Sequence, residues 1–329
     1  MKENIPMCEV VHSQSMEPLW SPDQSDLGYL PEGPVGVLPG IFSWVSIQHG
    51  ERAEYGSLNR LNVASMENET LKLSGRPGFA FPTTDPDYFI VGMERCLQLI
   101  HFPTGTSQVL SEEISCGDRG TIINDGMVFP EGVIFGAKDL KIQKAIAGLY
   151  FWRLKDRQLW QLRDDQICSN GKVIQKEGQQ WNIWDIDSPT KQVVRYRFDI
   201  QKGQLSESEV VLDLRKLEGF PDGMVSTPDG QSVIIAFYNP YEVSHGEVRQ
   251  YSLVTGQHQA TWRVPGAPQV TCPLLWNYRK KVQLIVTTAT ENMSPEKRKR
   301  HPESGSFFVS QTKFDSCDQP HRFDINDLH

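Results

Sequence analysis

The chain has 329 residues, 22% of them charged, and a net charge of −8. That length supports a large core, either as two domains or as one large β or α/β unit. The acidic balance argues against nucleic acid or an anionic membrane as the main partner, and no run is long enough to span a membrane.

The opening residues MKENIPMCEVVHSQSMEPLW lack the apolar stretch of a signal peptide, and residues 12–31, rich in Ser, Pro and Asp, read as an extended arm. Short apolar or alternating runs follow, divided by Gly, Pro, Asp and Asn, with few windows of helical period. They include IFSWVSI (41–47), DYFIVGM (87–93), GVIFGAK (132–138), QSVIIAFY (231–238) and KVQLIVTTA (281–289). Between them six segments share one pattern, a small residue or short turn and then alternating apolar and polar positions. These are GSLNRLNV (from 56), RCLQLIHF (from 95), GLYFWRLK (from 148), QVVRYRFD (from 192), GEVRQYSL (from 246) and SGSFFVSQ (from 304). Their starts lie 39, 53, 44, 54 and 58 residues apart. A β unit recurring at roughly 40–50 residues is the mark of propeller blades, whose four-stranded sheets bury their faces by packing radially on one another. The pattern predicts an all-β, six-bladed propeller in preference to a β-sandwich or several small β domains, because no linker of biased composition divides the chain. Residues 291–303, ENMSPEKRKRHPE, read as a loop or short helix before the last strand, with KRKR as a solvated charge run.

The cysteines Cys8, Cys96, Cys116, Cys168, Cys272 and Cys317 stand far apart with no CxxC pair, and the eight histidines are equally scattered. This spacing predicts reduced, mostly buried thiols in a cytoplasmic protein, with neither a disulfide framework nor a His/Cys metal site.

Loops from every blade meet at the mouth of a propeller channel, so site residues are expected one or two per repeat. Polar residues beside Gly in turn-like contexts supply Glu32 in PEGP, Asn124 and Asp125 in INDG, Asn170 in SNG and Asp222 in PDGM. Carboxylates and amide oxygens together suit a hard divalent cation, although each motif alone reads as a β-turn. Pro-Asp-Gly occurs twice, at 221–223 and 228–230, and Asp229 reads as the ordinary hairpin turn. The aromatic residues of LYFWRLKDRQLWQL (149–162) read as blade core.

In this order the motifs resemble the gluconolactonase, regucalcin (senescence marker protein) and luciferin-regenerating enzyme-like family of six-bladed propellers. The resemblance runs from about residue 30 to about residue 310. It rests on EGPV (32–35), NDGMVFPEG (124–132), GLYFW (148–152), SNG (169–171), WDIDS (184–188), FPDGMVSTPDGQ (220–231) and VTCPLLW (270–276). It implies one domain: a strand at 7–11 that closes the ring, an extended arm or lid at 12–31, blades over 32–311 and a tail over 312–329. It also implies one divalent cation held by Glu32, Asn170 and Asp222, Ca²⁺ first, with Mg²⁺, Mn²⁺ or Zn²⁺ as alternatives. Asn124 and Asp125 would line the substrate pocket, and Asp187 would have a hydrogen-bonding role. The implied activity is hydrolysis of a sugar-derived lactone, with Asp222 or a hydroxide on the metal as base. Two departures matter. The family's Arg-x-Asn-Asp-Gly motif has Ile122 at its first position, which leaves Arg119 to compensate from its loop, and the segment GAKDLK offers Lys138 or Asp139 to the pocket. Alternative readings are a non-catalytic divalent-cation-binding propeller and a phosphotriesterase-like hydrolase. The expected partner is a small-molecule lactone, with no nucleic acid and no membrane, and a homo-oligomer is left open.

Overall fold

The computed structural model describes residues 11–114 and 120–328, whose strands gather into six separate sheets. Blade 1 spans 31–72, blade 2 77–109, blade 3 121–166, blade 4 169–213, blade 5 220–265 and blade 6 270–311. Each opens on an inner strand: Pro31–Leu38, Pro77–Pro82, Thr121–Phe129, Ser169–Glu177, Phe220–Ser226 and Val270–Tyr278. Successive inner strands touch, and that of blade 6 touches that of blade 1, so the six form a closed ring. The expected six-bladed all-β propeller is the observed fold.

The position of a strand within its blade explains its composition. A second strand has a paired neighbour on each edge and another blade against each face, so its side chains are buried on both sides and the sequence becomes a nearly continuous apolar run. The five runs singled out in the sequence are the second strands Ile41–Ser46, Tyr88–Met93, Gly132–Asp139, Ser232–Tyr238 and Lys281–Thr288. The sixth, Gln180–Asp187, carries buried Asn182 and Asp185 and breaks the apolar pattern. All six recurring segments fall on third strands, from Ser57–Asn62 in blade 1 to Phe307–Gln311 in blade 6. Tyr150, Phe151 and Trp152 are buried, as core residues should be.

The two ends of the chain clasp the ring. Glu17–Trp20 pairs antiparallel with Phe307–Gln311 as the outermost strand of blade 6. Just before it, His12–Ser15 lies parallel to His258–Pro265 as a fifth strand of blade 5. The closing strand thus falls inside the segment expected to be an arm or lid, while residues 7–10 lie outside the described residues. The physical reason is Trp20, whose half-buried ring packs edge-on against Phe307 and Trp44 with centroids 5.4 and 6.0 Å away and anchors this segment. At the other end, Phe323 and Leu328 are buried in the core shared by blades 2 and 3. The segment before 295 leads into a short helix, Pro295–Arg300, capped by the Ser294 hydroxyl. Lys297 departs from the expected solvated run: it is buried, and its ammonium donates to the carbonyls of Pro240 and Tyr241. Among the described residues no helix is long and apolar enough to cross a membrane.

Candidate functional site

Every inner strand breaks register with its neighbour, and in four of them the break lies at a motif singled out in the sequence. The breaks fall between Glu32 and Val35, Ile123 and Asp125, Asn170 and Lys172, and Pro221 and Met224. A β-bulge inserts extra residues into one strand and re-aims the side chains around it. The Gly-containing motifs at 32–33, 124–126, 169–171 and 221–223 are therefore bulges within strands, which corrects their reading as turns. The second Pro-Asp-Gly is a turn: Gly230 N donates to Thr227 O (2.8 Å), and Asp229 Oδ1 accepts from Thr227 Oγ1 (2.6 Å) and Gln231 N (3.0 Å). The bulge glycines also let adjacent inner strands approach. A Cβ on Gly171 would lie 2.5 Å from Met224 Cβ and 2.7 Å from Asp222 O.

The bulges of blades 1, 3, 4 and 5 bring Glu32, Asn124, Asn170 and Asp222 to one cavity of about 180 Å³, joined by Lys138 from the second strand of blade 3. A hydrogen-bond relay crosses three blades and fixes the amides. Asn124 Nδ2 donates to Ser169 O and to Asn170 Oδ1, both at 2.9 Å. Asn170 Nδ2 donates to Ser188 Oγ (2.8 Å), which donates in turn to Pro221 O (2.6 Å), beside Asp222. Behind Asn170, Lys172 Nζ donates to Asn170 O (2.6 Å) and Ser169 Oγ (2.9 Å) and pairs with buried Asp185 at 3.3 Å. Asp187 Oδ1 accepts from Cys168 N at 2.8 Å, the hydrogen-bonding role expected of it.

The two carboxylates oppose each other's ionisation. Burial first, and then the charge of Asp125, pushes Glu32 up to about 8, against the pull of the Gly33 N–H at 3.0 Å. Burial first, and then Glu32, holds Asp222 well above the usual carboxylate range. Two like charges brought together are the setting that a divalent cation relieves. Among the described residues no three His, Cys, Asp or Glu side chains form a metal-holding group. The available donors are instead two carboxylates and an amide oxygen, a set that fits a hard cation at Glu32, Asn170 and Asp222. Burial pushes the Cys168 thiol up to about 12 and Cys272 well above its ordinary value, so both are poor nucleophiles.

Asp125 does not join this cavity. The inner strands pass at their bulges from the cavity into a second, larger space along the channel, which Asp125 lines with Lys172. Its carboxylate accepts from Gly126 N at 2.6 Å. One residue along the strand thus separates Asn124 from Asp125 by cavity, a correction to their expected pairing. Arg119 lies outside the described residues. Ile122 is buried, does not line the cavity and pairs across strands with Lys138. The sequence reading missed Ser188, Tyr238 and Glu291, all of which line the cavity. Tyr238 OH donates to Glu291 Oε2 (3.0 Å) and accepts from Gln269 Nε2 (2.8 Å). Ser188 ends the noted WDIDS motif and Tyr238 ends an apolar run, whereas Glu291 stands in a segment with no local signal.

Residues 30–290 match the family described as SMP-30/Gluconolactonase/LRE-like region. "Putative sugar lactone lactonase YvrE" of Bacillus subtilis (strain 168) is 31% identical over 189 residues, 57% of this chain and 61% of that protein. Human regucalcin is 27% identical over 212 residues, 61% of this chain and 66% of that protein. The matches therefore span less than two thirds of the length of these curated relatives. Among solved structures, a calcium-binding protein, regucalcin, from Agrobacterium tumefaciens superposes with a TM-score of 0.76 at 21% identity, covering 96% of this chain and 98% of that one. A luciferin-regenerating enzyme gives 0.77 at 16% identity, covering 94% and 100%. At such identities the structural likeness speaks for the fold.

Proposed function

The chain belongs to the SMP-30/gluconolactonase/LRE-like family, and from that premise we propose that it is a metal-dependent hydrolase that opens a small lactone. The observation that carries this reading is the convergence of Glu32, Asn170 and Asp222, with Asn124 beside them, on one cavity. The lactonase name borne by a relative supports the substrate class, and the calcium-binding neighbour supports Ca²⁺ as the first choice of cation, ahead of Mg²⁺, Mn²⁺ or Zn²⁺.

When bound at Glu32, Asn170 and Asp222, such a cation would act as a Lewis acid toward the ester carbonyl. The apolar walls, among them Leu30, Ile47 and Phe220, seat the ring and exclude bulk water, while Asn124 orients it. Asp222, kept ionised by the cation, would take a proton from the attacking water. The water oxygen bonds to the acyl carbon, the acyl C–O bond breaks, and the proton passes to the departing alkoxide to leave a hydroxy acid. The free thiols of Cys96, Cys168, Cys272 and Cys317 support a reducing, cytoplasmic setting.

The test is a lactone panel assayed with each of the four cations. Asp222→Asn and Glu32→Gln are expected to lower turnover by about 10²-fold or more and to remove the cation-induced rise in Tm. A wild-type protein that binds cation but opens no lactone would reject the enzyme reading and leave a cation-binding propeller. Turnover of an organophosphate in place of the lactones would move the reading to phosphotriester hydrolysis.

A further inference from the structure

Three lysines are buried among the described residues, Lys138, Lys172 and Lys297. Two are fully engaged: Lys172 by Ser169, Asn170 and Asp185, and Lys297 by the carbonyls of Pro240 and Tyr241. Lys138 is the exception. It is 8% exposed and lines the cavity, yet its ammonium makes no hydrogen bond and no salt bridge among the described residues. Its charge is felt by Glu32, Asp222 and Cys168, but neither carboxylate comes within ion-pair distance. The ammonium keeps contact with the cavity, where an anionic ligand can complete it with a charge-assisted hydrogen bond.

We propose that Lys138 receives a carboxylate carried by the substrate, so that the cavity selects small lactones bearing an anionic group. The inference rests on the lactonase reading and narrows it. Leu30, Ile47, Ile142, Pro189 and Phe220 contribute apolar side chains to the wall, beside the polar Asn124, Ser188, Tyr238 and Glu291, and among the described residues Lys138 is the one cation on it. The volume, about 180 Å³, is below the roughly 300–1,000 Å³ of pockets for drug-sized ligands. A compact ring would be held at two points, its ester carbonyl at the Glu32–Asp222 end and its carboxylate on Lys138. Water adds to the acyl carbon, the acyl C–O bond breaks, and the product is a hydroxy-dicarboxylate.

A matched pair of substrates tests this: the γ-lactone of α-hydroxyglutarate and γ-valerolactone, which carries a methyl group in place of the carboxylate. With Ca²⁺ present, the wild-type protein is expected to favour the first by about tenfold or more in kcat/KM, the scale of a hydrogen bond to a charged group. Lys138→Met should bring that ratio close to one, Lys138→Gln should do the same if the Met variant fails to fold, and Lys138→Arg should keep a preference. Binding gives an independent readout. Calorimetry with α-hydroxyglutarate and with γ-hydroxyvalerate, with and without Ca²⁺, should show selective binding of the former that weakens about tenfold in Lys138→Met. A wild-type ratio near one, or a ratio that the neutral variants leave unchanged, overturns the proposal and assigns the ammonium to neutralising the carboxylates. If no lactone is opened, the proposed function fails and binding alone decides. Selective, Lys138-dependent binding of α-hydroxyglutarate then upholds the carboxylate site, and its absence overturns it.

Discussion

Glu32 and Asp222 line one cavity, and their shared discomfort has a sign that can be measured. Glu32 is raised from 4.5 to about 8 in the folded protein. Without cation, its contribution to stability is therefore fully present below about pH 4.5 and lost as the pH rises through about 8. Added Ca²⁺ acts on ionised carboxylates and competes with protons for them. The gain in Tm on adding Ca²⁺ should be larger at about pH 9 than at about pH 5, and Glu32→Gln should flatten the difference. An equal gain at both would show that Ca²⁺ acts elsewhere. Ser188→Ala removes the partner of Asn170 Nδ2 and of Pro221 O. Urea melts should register a loss of about 1–3 kcal/mol, with weaker Ca²⁺ binding because Asn170 is no longer oriented. Glu32, Asn124, Asn170 and Asp222 were legible as polar residues beside glycine in a set order. Ser188, Tyr238 and Glu291 were not, because what brings them to the cavity is the packing of one blade on the next. Asp125 was misread for a related reason: a sequence shows that a bulge is possible but not which of its two polar residues faces which cavity.

At the scale of elements, legibility followed burial. Second strands announce themselves as apolar runs and most third strands as alternation, although Ala147–Arg153 is buried on both faces. Outer strands such as Glu67–Lys72 and Ser107–Val109 are largely exposed and carry no such constraint, so they passed unnoticed. The two Pro-Asp-Gly triplets show the limit most clearly. One is a bulge that places Asp222, the other a turn closed by Asp229, and only their strand context separates them. Gly171 tests the bulge as a unit. Its missing side chain leaves room for the blade 5 strand, and a Cβ there would press on Met224 and on the Asp222 carbonyl. Gly171→Ala should cost about 1–3 kcal/mol by overpacking and weaken Ca²⁺ binding by displacing Asp222. Asp229→Ala should cost stability at the hairpin turn and leave the calorimetric Ca²⁺ affinity unchanged. The reverse pattern would mean that the turn, not the bulge, positions the site.

For the whole molecule, a ring of six blades is only as stable as its closure, and the chain closes it twice. The N-terminal strand Glu17–Trp20 completes blade 6. The C-terminal tail then runs across the ring: Cys317 exchanges hydrogen bonds with Asn277 in blade 6, and Arg322 donates to the carbonyls of Gly36 and Val37 in blade 1. Phe323 O accepts from Thr84 N beyond the inner strand of blade 2, and the Phe323 ring, 2% exposed, is buried in the core between blades 2 and 3. Composition could not reveal this second clasp, because residues 312–328 have no strand pattern and hold by a few buried or hydrogen-bonded points. Several of those residues, including Cys317, Pro320 and His321, line the far channel space, and none lines the cavity of Glu32 and Asp222. Stability and site should therefore separate. Phe323→Ala should cost about 3–5 kcal/mol in urea unfolding, the scale for a buried aromatic ring, while the folded protein keeps its Ca²⁺ affinity and its lactone turnover. A loss below about 1 kcal/mol would make the tail a passive extension. A loss of Ca²⁺ affinity in protein that is still folded would mean that the clasp also sets the geometry of the inner strands, and that closure and site are one device.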